Sequence, residues 1–321
     1  MKKHIETLKL TLIGNIFVRK LLEWIKLAKL VRKNHFSIYT RYENDLHLLG
    51  SFGSYLYNSD SIETLKKGLD HETLSKIENI LSKIQLLFQN NVTKFKYLYG
   101  EKEIRELKDL SCFLRKHKKV AFPQMYYFQQ KTKATYKFDI KGKDILDIGA
   151  CIGDTSITFH NLYSGSRVYG FEPEINNLTQ FQKNIRNIKN IETVNLGVSN
   201  FEGTARINNS GGISKLTLGE NNEEIHITTI DKFVSENNLN PGMIKRDIEG
   251  EEYNSLLGSE KTIKKFKPIL FISIYHTGKD FFEIKPLIES WDIGYKFGIE
   301  KRNTHPFIDT VLVCYNPHII I

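Results

Sequence analysis

Cysteine is scarce in this 321-residue chain. The three present, Cys112, Cys151 and Cys314, are an odd number and widely spaced. That is too few for a disulfide framework, and it leads us to expect a reducing, cytoplasmic setting. Long apolar runs are missing as well. No stretch reaches the roughly 20 consecutive apolar residues a membrane-spanning helix needs. The first 33 residues interleave lysine throughout and lead to no small-residue cleavage site, so a signal peptide is not expected. No fixed-period repeat is present, which argues against a solenoid. With 40% hydrophobic and 26% charged residues, the chain is neither disordered nor collagen-like.

The formal charge is +9, but it is unevenly held. Residues 1–120 carry 23 basic and 13 acidic side chains, whereas residues 121–321 carry 23 and 24. A nucleic-acid reader should carry its basic footprint on the reading module. The near-neutral second part therefore points away from a nucleic-acid partner. Within the first part, Leu10, Ile13, Phe17, Leu21, Trp24, Ala28 and Val31 form one helical stripe among lysines. Such a segment in residues 1–33 suits self-association, packing on its own protein, or peripheral contact with an anionic membrane. Residues 60–118 also read as mostly helical, with Ser61 and Asp70 as N-caps. The expected division is a basic helical accessory region over 1–120 and a second domain over 121–321.

After Pro123 the pattern changes. Short apolar strands are expected at 144–148, 167–171, 191–195, 242–248, 269–275 and 309–315. Amphipathic helices are expected at 153–163, 174–187, 252–265 and 280–290. This alternation predicts a doubly wound α/β domain with a largely parallel sheet.

Three blocks carry chemistry. The run Leu146-Asp147-Ile148-Gly149-Ala150-Cys151-Ile152-Gly153-Asp154-Thr155 is a strand, a glycine turn and a helix start. Gly149 permits the turn, Gly153 would let a ligand approach, and unpaired amides at the helix start would favour an electron-rich group. The Gly-x-x-x-Gly spacing differs from the dinucleotide pattern Gly-x-Gly-x-x-Gly, and the nearby carboxylates suit an ammonium or hydroxyl better than a pyrophosphate. Glu172 ends the next strand and precedes Pro173, where nucleotide-binding sheets place an acid on ribose hydroxyls. Asp247 and Glu249 end a central strand; their i, i+2 spacing would put both on one face. They are read as a general base, as ligands of a divalent metal, or as orienting acceptors. His276 ends the following strand and is a candidate general base. Cys151 reads as a small filler rather than a nucleophile.

The first two blocks resemble class I S-adenosylmethionine-dependent methyltransferases. Further blocks are similar to the FkbM-type family: Asn195-Leu196-Gly197-Val198-Ser199-Asn200, Thr229-Ile230-Asp231-Lys232-Phe233, and above all Lys245-Arg246-Asp247-Ile248-Glu249-Gly250-Glu251-Glu252. So is Pro268-Ile269-Leu270-Phe271-Ile272-Ser273-Ile274-Tyr275-His276. The likeness covers roughly residues 138–315. Arg246 departs from it, standing where the family has an apolar residue, and suggests a strand end open toward a pocket.

The resemblance implies a Rossmann-like sheet and S-adenosyl-L-methionine as cofactor. Carried onto this chain, it places Asp147, Gly149, Ala150, Gly153, Asp154, Thr155, Glu172, Pro173, Asn195 and Asp247 at the cofactor, and His276, Asp247 and Glu249 at the chemistry. The expected activity is O-methylation of a hydroxyl on a sugar, glycan or secondary metabolite. A nicotinamide-dependent oxidoreductase and a non-catalytic cofactor-binding protein of the same fold are the alternatives.

Overall fold

The computed structural model describes residues 37–41, 51–56, 58–89, 94–98, 138–210, 213–216, 223–301 and 309–319. The apolar stripe of residues 1–33 and Cys112 lie outside them. The N-terminal third forms β1 (Ser37–Arg41), α1 (Gly53–Leu56), α2 (Ser59–Lys66), α3 (His71–Gln89) and β2 (Lys94–Leu98). Strands β1 and β2 pair antiparallel, with Ser37 opposite Leu98. Strand β2 interrupts the stretch expected to be mostly helical, and its Lys-Phe-Lys-Tyr-Leu alternation has the period of a strand; residues 99–118 of that stretch lie outside the described residues. Helix α2 is capped by Asn58, whose side chain accepts from the amides of Asp60 and Ser61, so Ser61 sits inside the first turn rather than at the cap. Asp70 caps α3 as expected, accepting from the Thr73 amide at 2.7 Å.

The second part continues with β3 (Asp144–Ile148), α4 (Asp154–Leu162), β4 (Val168–Phe171), α5 (Ile175–Ile185) and β5 (Ile191–Val194). Strands β6 (Gly197–Val198), β7 (Gly203–Ser210), β8 (Ile213–Leu216) and β9 (Glu223–Thr228) follow, then α6 (Ile230–Glu236) and β10 (Pro241–Arg246). The chain ends through α7 (Glu252–Leu257), α8 (Glu260–Phe266), β11 (Ile269–Ser273), α9 (Gly278–Ser290), β12 (Lys296–Lys301) and β13 (Thr310–Tyr315).

Seven strands form one sheet in the order β12-β13-β11-β10-β3-β4-β5. Strands β5, β4, β3, β10 and β11 run parallel, and β13 is antiparallel to both of its neighbours. Every residue of β3, β10 and β11 is buried. Layers of helix on both faces demand such continuous apolar strands. From β3 the chain winds outward through β4 and β5, then returns to β10 on the other side. The order therefore reverses between β3 and β10, and open α/β sheets bind ligands at such a point.

All six expected strands are present. Strand β12 and the four-stranded sheet β6-β9-β7-β8 were not foreseen. The expected helix 252–265 is two helices, broken at Gly258 and Ser259.

The N-terminal helices share a core with the sheet. Phe52, Leu56, Leu65, Ile77 and Ile84 belong to the same buried cluster as Leu146, Ile244, Ile272 and Phe281. The Phe52 ring lies 5.5 Å from that of Phe281, and Tyr55 stacks on Phe282. Ser51 Oγ accepts from the Gly278 amide at 2.8 Å, at the very start of α9.

Candidate active site

The glycine turn after β3 is held from within. Gly149 has φ +76°, and a Cβ there would fall 2.0 Å from the Asp247 carbonyl oxygen. The turn thus lies directly against the end of β10. Gly153, with φ +85°, packs on the Phe181 ring, which a Cβ would meet at 2.0 Å. The absence of a side chain at Gly153 is thus required by this packing. The amides of the turn ahead of the helix are bonded within the protein. Those of Gly149 and Ala150 donate to the Phe171 carbonyl at 3.0 and 2.9 Å, that of Gly153 to Ala150, and that of Cys151 to Glu172 Oε2 at 2.9 Å. Four donors that would serve a phosphate are already bonded.

Asp147 is wholly buried. Its Oδ1 is 3.0 Å from Lys245 Nζ, and its Oδ2 accepts from Ser156 Oγ at 2.6 Å. Lys245 Nζ also donates to the Gly149 carbonyl at 2.7 Å. Asp147 therefore fixes the turn through Lys245 and does not face the cleft, contrary to the direct contact expected. Lys245 itself was not among the expected site residues, although its motif was. Ala150 and Thr155 are also buried.

Glu172 accepts from the Cys151 amide through one oxygen and from the Glu174 amide, at 3.0 Å, through the other. Burial raises its pKa and these hydrogen bonds oppose the rise. Asn195 donates to the carbonyls of Glu172 and Pro173 at 3.1 and 3.0 Å, bracing that loop. Asp154 stands half-buried at the first turn of α4. Burial pushes its carboxyl up to about 6 against the pull of Lys245. The Cys151 thiol is pushed up to about 12 by burial, with Glu172 and Asp154 adding to it, so it is an unreactive filler as expected.

Across the switch point lies a second cluster. Strand β10 stops at Arg246, so Asp247 and Glu249 are not on a strand face. They converge because Glu249 adopts a left-handed φ of +60°. His276 is buried between them. Its Nδ1 lies 2.8 Å from Glu252 Oε1, and its Nε2 lies 3.6 Å from both Asp247 Oδ1 and Glu249 Oε2. Burial lowers the His276 pKa, but Glu252 and Glu249 outweigh it and raise the group to about 10. The surrounding carboxylates thus favour the protonated imidazole over a free proton acceptor. Tyr275 donates to Asp247 Oδ1 at 3.3 Å. Burial, with Asp247 next, holds that phenol well above its usual range. Tyr275 and Glu252 were missed as site residues, although both lay inside the quoted motifs.

Arg246 does not open toward a pocket. It is fully buried, donating to Ser255 Oγ at 3.1 Å and Ser259 Oγ at 2.6 Å, and burial lowers its pKa to about 10. Hydroxyls on α7 and at the start of α8 explain why a charged residue fits an apolar strand position.

Among known proteins, the family description "Methyltransferase FkbM domain" matches residues 147–297. No curated protein matches the chain. A solved FkbM methyltransferase from Methylobacillus flagellatus is 22% identical, with a TM-score of 0.57. It covers 82% of this chain, and this chain spans 60% of it. A solved putative caffeoyl-CoA O-methyltransferase from Staphylococcus aureus is 11% identical, covering 74% of this chain and 99% of its own, with a TM-score of 0.39. No helix among the described residues is long and apolar enough to cross a membrane. The glycine turn, the acid after β4 and the Lys245–Glu252 block all fall within the matched span, and residues 147–297 of this chain are similar to the FkbM methyltransferase domain.

Proposed function

We propose that the chain is an S-adenosyl-L-methionine-dependent O-methyltransferase whose acceptor is a hydroxyl on a sugar, glycan or secondary metabolite. The observation carrying this reading is the donor set at the switch point. Four turn amides are consumed internally, while Asp154, Glu172, Asp247 and Glu249 gather carboxylates around the same strand ends. A pyrophosphate would need the amides; a sulfonium with an ammonium group and ribose hydroxyls needs acceptors. The residues fit the latter ligand, and they disfavour a nicotinamide dinucleotide.

The cofactor supplies an activated methyl group. The chain supplies position and proton removal. Glu172, fixed by two amides and braced by Asn195, offers its remaining lone pairs to ribose hydroxyls. Asp154 attracts the ammonium. The Asp247 carboxylate takes the acceptor proton, since His276 is already charged. His276 and Tyr275 hold that carboxylate in place.

Calorimetry with S-adenosylmethionine tests the reading. Glu172→Ala should weaken binding by at least about tenfold, roughly the loss of one charge-assisted hydrogen bond. Unchanged affinity, or tighter binding of a nicotinamide dinucleotide by the wild type, would sink it. Transfer of labelled methyl to a glycan pool, lost in Asp247→Asn, separates an enzyme from a non-catalytic binder.

A further inference from the structure

We infer that Glu252 is a positioning residue for methyl transfer, one carboxylate that sets the turn carrying Asp247 and Glu249 together with the ring of His276. This role presupposes the O-methyl transfer proposed above, in which Asp247 takes the acceptor proton. Glu252 itself stays out of the cleft: it is wholly buried at the first turn of α7. A buried carboxylate needs its lone pairs filled. Three groups from two segments of chain fill them. Oε1 accepts from the Ile248 amide at 2.7 Å and lies 2.8 Å from His276 Nδ1, while Oε2 accepts from the Gly250 amide at 2.9 Å.

The two amides belong to the turn that follows β10, and its backbone is strained. Glu249 has φ +60° and Gly250 φ +112°. A non-glycine residue in the left-handed region persists only where its surroundings over-determine it. Glu252 supplies that constraint by gripping the amides on either side of Glu249. With the turn so held, Asp247 Oδ1 and Glu249 Oε2 converge, each 3.6 Å from His276 Nε2.

The same carboxylate governs the ring. A partner on Nδ1 fixes where the proton sits and where Nε2 points. Nε2 is buried without a hydrogen-bond partner and faces the two cleft carboxylates. A charged ring there offsets their mutual repulsion and keeps Asp247 ionised. The groups around the ring come from several elements: Asp247 and Glu249 on the turn, Glu252 on α7, Asp280 on α9, and Tyr275, whose ring lies 4.1 Å away. Burial works against the charged ring, and Glu252 leads the carboxylates that outweigh it. Asp280 is occupied elsewhere, accepting from Thr277 Oγ1 at 2.6 Å and from the Tyr253 amide at 3.3 Å. Glu252 alone touches both the turn and the imidazole.

Nuclear magnetic resonance of the full chain tests this. At about pH 8 the His276 ring should carry protons on both nitrogens, with a downfield Nδ1 proton bonded to carboxylate. Loss of the signal in His276→Gln assigns it. Glu252→Gln sets an amide donor among three donors. It should abolish that signal and lower transfer of labelled methyl to the glycan pool about 100-fold, the scale of an ångström-sized misplacement. S-adenosylmethionine affinity, read by calorimetry, should stay within about threefold. Glu252→Asp keeps the charge but shortens the reach, and should transfer at an intermediate rate. Circular dichroism confirms that each variant is folded. The wild-type spectrum needs no variant: a neutral His276 ring, or an Nδ1 proton without a bonded signal, would overturn the inference. So would cofactor affinity falling in step with rate, which would make Glu252 merely structural. Transfer at the wild-type rate in Glu252→Gln overturns this inference alone. Wild type that binds no cofactor and transfers no methyl overturns the proposed function, and this role with it.

Discussion

Two charged clusters face each other across the switch point, and they are built in opposite ways. Between β3 and β10, Asp147 and Lys245 are buried, of opposite sign, and paired with each other. On the β10 side, Asp247 and Glu249 are partly exposed carboxylates around one histidine. A closed pair contributes shape, because its charges cancel out of reach of solvent. The second cluster keeps two carboxylates partly exposed beside a histidine. Charge density alone would have marked both as reactive; what divides them is burial.

The comparison breaks first at the closed pair. Asp147→Asn or Lys245→Met should each cost about 3–5 kcal/mol in denaturant unfolding, since the partner charge is left buried. The double variant should cost less than the two single losses combined. Single losses under about 1 kcal/mol would place this cluster with the open one. At the open cluster the effect should move from stability to turnover. Glu249→Gln should lower methyl transfer about tenfold, read with labelled cofactor, with a stability loss of only about 1 kcal/mol because a partly exposed carboxylate is taken from beside His276. A large stability loss there would erase the distinction. The smallest effect concerns Asp154, raised to about 6 between the clusters. Its carboxylate is charged above that pH and neutral below it. Affinity for a cationic ligand should therefore be full above pH 7 and fall roughly three- to tenfold as pH drops through 6. Asp154→Asn should flatten this titration in calorimetry; an equal slope in the variant would assign it elsewhere.

Much of the fold was legible because its central strands are short, largely apolar runs that alternate with helical periods. The parts that escaped have physical causes. Strands β7 and β9 are short on core side chains and hold together by antiparallel pairing with each other, a non-local interaction that one segment does not display. The break between α7 and α8 depends on Ser259 meeting Arg246, a contact between distant elements. Site residues were legible by position more readily than by role. Asp147 and Gly153 stand where their motif places them, yet their partners, Lys245 and Phe181, come from elsewhere in the chain and turn them inward. The charge on His276 arises from Glu249 and Glu252, 27 and 24 positions earlier, which only folding brings together.

The contact between Ser51 and Gly278 bears on where this protein can be cut. A sequence boundary near residue 120 suggests a portable catalytic unit, but the helices of residues 53–89 cover its hydrophobic interior. Removing them would bare Phe281 and Phe282 and strip a hydrogen-bond partner from the turn two residues beyond His276. A cut at residue 120 would therefore expose apolar rings rather than release a finished domain.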